Sequence, residues 1–228
     1  MPKSPPKDKP ADWPASSESR LAKPVSRLLL GLVCRYQVIG KENLPEQPFM
    51  LVSNHMSYFD IPVVTYPSPF GTVGLAARKY KGTWKEPFFE LYSLIWVEQF
   101  SADRRALRDA IAVLKGGVSL GIAPEGTRSK VGKLIEGRSG AAFIATRTNV
   151  PIVPVGIVGT DRILRHPRPK VVMRIGKSFR LPEGRAKGDA LDDYTEQIMC
   201  AIAALLPEKY HGHYADNPRI EEMKKVVY

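Results

Sequence analysis

Two short stretches of the chain hold residue types that can do chemistry together. The first is Asn54-His55-Met56-Ser57-Tyr58-Phe59-Asp60. An imidazole can take a proton from an attacking hydroxyl near neutral pH. A carboxylate bonded to one ring nitrogen fixes the tautomer and leaves the other nitrogen free to act as the base. Five positions apart, His55 and Asp60 would be turned by about 500° on a continuous helix, well away from each other. They meet only if His55 lies in a strand-to-helix turn and Asp60 in the first helical turn. Pro62 agrees with that placement, since proline is tolerated near a helix start. The same letters carry a plainer meaning: Asp60 as a helix N-cap, with Ser57-x-x-Asp60 as a capping box.

The second stretch is Pro124-Glu125-Gly126-Thr127-Arg128-Ser129. Gly126 lets a ligand approach the backbone, Arg128 can grip a phosphate through two parallel N–H bonds, and Thr127 and Ser129 add hydroxyls. Lys130, Lys133 and Arg138 extend the positive field. The plainer alternative is a solvated turn with a surface Glu125–Arg128 pair, worth little by itself. The G-x-x-x-x-G-K pattern of a nucleotide-binding loop is absent. No metal site is expected: one His and one Asp lack a third ligand nearby, and His166, His211 and His213 lie in the distant C-terminal third.

The elements around these stretches must position them. Phe49–Val52 is an apolar run after Pro45 and Pro48 and reads as a buried strand leading into His55. Thr72–Ala77 and Ser93–Val97 are further strand candidates. Asp103 caps a helix with Leu107, Ala110, Ile111 and Leu114 at helical spacing, ended by Gly116-Gly117. Val118–Ala123 reads as the strand that delivers Pro124, and Ser139–Thr148 as a helix. Ile152–Val158 and Val171–Ile175 are β-branched strands. Leu191–Leu206 is a helix with Leu191, Tyr194, Ile198, Ala201, Ile202 and Leu205 on one stripe. The alternation predicts an α/β fold: a mixed, largely parallel sheet flanked by helices on both faces, with an N-terminal amphipathic helix. In such sheets a site forms where strands run into loops and helix starts, where both motifs fall.

Composition bounds the rest. The 228 residues carry 34 Lys+Arg against 23 Asp+Glu, a net charge of +11, with 43% apolar and 25% charged residues. That is globular, and large enough for one sizeable core. Residues 1–20 read as a disordered Pro/Lys-rich tail, residues 21–206 as the catalytic domain, and residues 207–228 as a polar C-terminal tail. Cys34 and Cys200 make no disulfide framework. No apolar run is long enough for an ordinary spanning helix, and the first residues lack a secretory h-region. Val25–Ile39, with Leu28, Leu29, Leu30, Leu32 and Val33 flanked by Arg27 and Arg35, reads as an interfacial helix beside anionic headgroups or as a helix packed on the core. The charge alone also permits nucleic acid. No helix-turn-helix, zinc finger or RNP-like aromatic pattern accompanies it, so none is expected as a partner.

Taken together, the motifs resemble the glycerolipid acyltransferase family, most closely the lysophosphatidic acid (1-acylglycerol-3-phosphate) acyltransferases. Asn54, His55, Ser57 and Asp60 match N-H-x-S-x-x-D. Pro124–Ser129 match F-P-E-G-T-R-S, with Ala123 in place of the aromatic, and Val150–Val155 match the later V-P-I-V-P-V strand. The resemblance covers roughly Leu21–Arg180. It implies transfer of a fatty acyl group from acyl-CoA or acyl carrier protein to the free hydroxyl of a lysophospholipid, with no cofactor. Lysophosphatidic acid is the first candidate acceptor; glycerol 3-phosphate and other lyso-lipids are alternatives. It further implies His55 and Asp60 as catalytic residues, and Glu125, Gly126, Thr127 and Arg128 at the acceptor phosphate. Asn54, Ser57, Ser129, Arg138 and Arg104 are further substrate-binding candidates. The setting implied is an anionic membrane surface, the protein lying peripherally or monotopically on its cytoplasmic face. Two departures stand out. Gln99 occupies the place of an expected arginine, for which Arg104 or Arg105 is the candidate substitute. Gly137 and Arg138 replace an aromatic and a lysine.

Overall fold

A computed structural model of the chain describes residues 21–67, 71–101 and 103–228; the tail expected over residues 1–20 lies outside them. Seven strands form one sheet: β1 (Arg35–Ile39), β2 (Met50–Ser53), β3 (Thr72–Ala77), β4 (Leu94–Val97), β5 (Ser119–Ile122), β6 (Ile152–Val158) and β7 (Lys170–Ile175). Their order is β1-β7-β6-β2-β5-β3-β4. Every neighbouring pair is parallel except β6 with β7. The predicted mixed, largely parallel sheet is therefore what forms.

Helices α1 (Ala22–Val33), α2 (Asp60–Thr65), α3 (Glu86–Glu90), α4 (Arg104–Lys115), α5 (Gly140–Thr148), α6 (Asp189–Ala204) and α7 (Arg219–Val227) complete the fold. Alternation along β2 sends successive side chains to opposite faces. Met50 and Val52 join the core under α4 to α7, while Phe49 and Leu51 join a second core with Leu30 of α1 and Val63 of α2. Helices thus cover both faces. Asp103 caps α4 as expected, accepting hydrogen bonds from the N–H groups of Arg105 and Ala106.

Two boundaries differ from the sequence reading. The run Val25–Ile39 is not one helix. Α1 ends at Val33, and Arg35–Ile39 forms an edge strand parallel to β7, with alternating exposure. Within α1, Ala22, Ser26 and Leu30 recur every fourth residue and are buried, while Leu28 and Leu32 are 65% and 66% exposed. No helix among the described residues is long and apolar enough to cross a membrane. Residues 207–228 are not a loose tail either. Tyr210, Tyr214, Ile220, Met223 and Val227 are buried in the larger core, and the buried His211 bonds the Leu206 carbonyl. The three apolar positions of α7 fall at helical spacing, enough to dock it on α6 despite its polar outer face.

Candidate active site

The parallel neighbours β2 and β5 pair Met50 with Leu120 and Val52 with Ile122. The segments leaving their carboxyl ends therefore emerge side by side, and these hold the two motifs. Glu125 Oε1 accepts the His55 backbone N–H at 2.7 Å, and the His55 carbonyl accepts from the Ser129 N–H at 2.8 Å. The second motif thus clamps the first at both ends of one residue. Asn54 adds a third tie: its side chain exchanges hydrogen bonds of 2.8 and 2.7 Å with the carbonyl and N–H of Ile157 in β6.

His55 Nδ1 lies 2.7 Å from Asp60 Oδ2. Asp60 opens α2 without capping it, because its carboxylate turns back toward the preceding loop. Oδ2 also accepts from the N–H groups of Met56 and Ser57 at 2.7 and 2.8 Å, and Oδ1 from the Thr160 hydroxyl at 2.6 Å. A buried carboxylate facing two amide donors and a hydroxyl is an acceptor throughout. The ring nitrogen opposite it therefore carries the proton, and Nε2 keeps its lone pair. The imidazole is 26% exposed and lines a cavity of about 1070 Å³ at the carboxyl ends of the strands.

Gly126, Thr127, Arg128 and Arg138 line the same cavity, as do Ser57 and Ser129. Gly126 has φ of +67°, a conformation that favours glycine, and the Arg138 side chain packs against its Cα. The Arg138 guanidinium lies over Phe100, 4.9 Å from its centroid. Arg128 lies flat on Tyr58, 3.9 Å from the ring centroid, and forms no ion pair among the described residues.

Three expected binding residues have other duties. Glu125 is buried, and its second oxygen accepts from the Ile135 N–H at 3.1 Å. Its carboxyl supports the loop rather than facing a ligand. Burial pushes it up to about 7, against the opposing effect of its two backbone hydrogen bonds. Asn54 is a backbone clamp off the cavity wall. Arg104 is exposed at the start of α4, away from that wall. Gln99 fills the corner instead, donating from Nε2 to the Gly126 carbonyl at 2.8 Å. Sequence reasoning missed Thr160, whose partner is 100 residues away, and the Tyr58 platform. An aromatic beside the His-Asp pair was the only visible hint of the latter.

The family profile described as Acyltransferase matches residues 35–158, more than half of the chain and every element from β1 to β6. A chloroplast 1-acyl-sn-glycerol-3-phosphate acyltransferase of Brassica napus is 33% identical over 138 residues, covering 55% of this chain and 38% of that protein. The corresponding enzyme of Saccharomyces cerevisiae is 31% identical over 150 residues, covering 61% and 48%. The chain thus spans less than half the length of these curated relatives. The crystal structure of the 1-acyl-sn-glycerophosphate acyltransferase PlsC from Thermotoga maritima superposes with a TM-score of 0.63 at 29% identity, covering 78% of this chain and 74% of that one. On the extent of the profile match, the chain belongs to the Acyltransferase family.

Proposed function

We propose that the chain moves a fatty acyl group from a thioester donor to the free hydroxyl of a lysophospholipid, with 1-acylglycerol 3-phosphate as acceptor and phosphatidic acid as product. The observation that carries this is the Asp60-held imidazole, lining a cavity that also holds Arg128, which forms no ion pair among the described residues. Nε2 of His55 takes the hydroxyl proton as the oxygen attacks the thioester carbonyl. The tetrahedral centre collapses, the carbon–sulfur bond breaks, and the departing thiolate receives that proton from the imidazolium. Transfer is direct: Cys34 and Cys200 are both buried in the cores, so neither thiol is placed to be acylated. Arg128 grips the acceptor phosphate and brings the hydroxyl to His55, a proximity effect. The similarity to 1-acyl-sn-glycerol-3-phosphate acyltransferases supports the same acceptor.

The acyl chain has a floor to lie on. Leu51, Gly121, Gly74 and Leu94 pair across four adjacent strands and all line the cavity, opposite Ile61 and Val64 of α2. Gly121 and Gly74 sit side by side and add no side-chain bulk to this floor, and the Leu94 side chain reaches over Gly74. Leu51, in β2, precedes His55 by four residues. The outward leucines of α1, beside Arg27 and Arg35, suit a peripheral seat on anionic lipid at the cytoplasmic face of a membrane.

A free-thiol assay tests the reading, run with acyl-CoA or acyl-carrier-protein donors against lysophosphatidic acid, glycerol 3-phosphate and other lyso-lipids. Thiol release that requires lysophosphatidic acid, with phosphatidic acid seen by mass, is the expected result. Release independent of any acceptor would make the protein a thioesterase.

A further inference from the structure

Three cations gather at one wall of the cavity. Arg128 covers the face of Tyr58. Lys85, at the start of α3, reaches the same phenol: its Nζ donates to Tyr58 Oη at 3.0 Å and lies 4.7 Å from the ring centroid. The Tyr58 and Tyr80 hydroxyls are 3.1 Å apart, and Lys79 and Lys85 lie 5.4 and 5.5 Å from the Tyr80 centroid. None of the three forms an ion pair among the described residues. The nearby acids are engaged elsewhere: Glu86 accepts the Gly82 N–H at 2.6 Å, and Glu98 pairs with Arg78 at 2.7 Å.

Aromatic faces attract cations, but like charges gathered in a partly buried place repel. Such a group is electrostatically incomplete until an anion enters it. Arg128, Lys79, Tyr58 and Tyr80 line the cavity, and Lys85 stands behind them. Lys85 therefore acts through the Tyr58 hydroxyl, fixing the ring on which Arg128 rests.

We infer that Lys85 is a positioning residue for the acceptor head group: through Tyr58 it aims Arg128, and its charge favours a phosphate monoester over a phosphodiester. The inference rests on the acyl-transfer reading above. A monoester phosphate carries nearly two negative charges near neutral pH, while a diester carries one. Only the former answers a second cation.

The test measures steady-state transfer to lysophosphatidic acid and to lysophosphatidylglycerol, whose phosphate is a diester. Lys85→Met is expected to raise the KM for lysophosphatidic acid about tenfold, with much smaller changes in kcat and donor KM. The diester KM should move less than about twofold, and Lys85→Arg should recover most of the loss. Tyr58→Phe keeps the ring and removes the hydroxyl, so it should mimic Lys85→Met. Because both act through one contact, the double variant should be no worse than the worse single variant. An unchanged monoester KM, an equal rise for both acceptors, or additive losses would each overturn the inference while leaving the acyl-transfer reading in place. A parent protein that acylates neither lipid overturns both.

Discussion

At the His55 end of the cavity, Asp60 accepts four hydrogen bonds, from His55, Met56, Ser57 and Thr160. At the Tyr58 end, cations rest on phenol rings and form no ion pair with a carboxylate among the described residues. The first region is complete without substrate, as a group that must act as a base in one fixed pose should be. The second gains its missing charge only when a phosphate arrives. Preorganisation and deliberate incompleteness thus lie on one wall, three residues apart in sequence.

The sharpest way to break this comparison is His55→Ala. Loss of a general base costs about 10²–10⁴ in turnover. The variant should still fold, because the clamp on His55 uses only its backbone, with stability lowered by about the 1–3 kcal/mol that the lost bond to the buried Asp60 carboxylate costs. Retained turnover in assays of the purified variant would remove the base from the scheme. Arg128→Ala probes the other end. A charge-assisted contact to phosphate is worth about 1.5–3 kcal/mol, so acceptor KM should rise roughly ten- to a hundredfold, with donor KM little moved. Equal effects on the two substrates would mean that Arg128 does not hold the head group.

Thr160→Val comes next in size. It keeps the side-chain shape and removes the one hydrogen-bond donor to Asp60 Oδ1 among the described residues. Leaving a buried charged acceptor short of one bond costs about 1–3 kcal/mol. If the cost appears as a looser carboxylate, kcat should fall about tenfold with both KM values near the parent's. Thr160→Ser should restore the rate. A serine variant as slow as the valine one would show that packing, not the hydroxyl, matters at this position.

How much of this was legible from the letters follows the range of the interactions. The β-branched runs of β6 and β7 announce themselves because strand propensity and burial agree there. The Asp103 cap and the glycine stop of α4 are equally local. The pairing of His55 with Asp60 was legible because only one local geometry lets them meet. β1 was hidden by the leucine run before it, although Arg35–Ile39 does alternate. The docked C-terminal segment was hidden because its few apolar residues are thinly spread among charges. Thr160, Gln99 and Lys85 were beyond reach, since each acquires its role from a partner that strand order alone delivers. The same cause misassigned Glu125 and Asn54. Their types suit ligand contact, yet the neighbouring backbone claims both.

Glu125 offers the smallest effect on turnover at neutral pH, and the cleanest in sign. Burial raises its carboxyl from the ordinary 4.5 to about 7. Below 4.5 both folded and unfolded chains hold the proton, so the group costs nothing. Between 4.5 and 7 the folded chain keeps a proton that the unfolded chain has released, and stability must fall as pH rises. Above 7 both are ionised and the full cost remains, about 3 kcal/mol for a shift of this size. Glu125→Gln cannot ionise. It still accepts one of the two backbone N–H groups, and losing the other costs about 1–3 kcal/mol at low pH. Denaturant unfolding of both proteins across this range should give a difference curve that moves in the variant's favour by about 3 kcal/mol as pH rises and is flat beyond about 7, because the parent's ionisation cost is absent from the variant. A difference that is constant from pH 4.5 to 8 would place the buried proton elsewhere. It would also make the loop that grips His55 as electrostatically settled as Asp60, leaving the Tyr58 wall as the one unsettled part of the site.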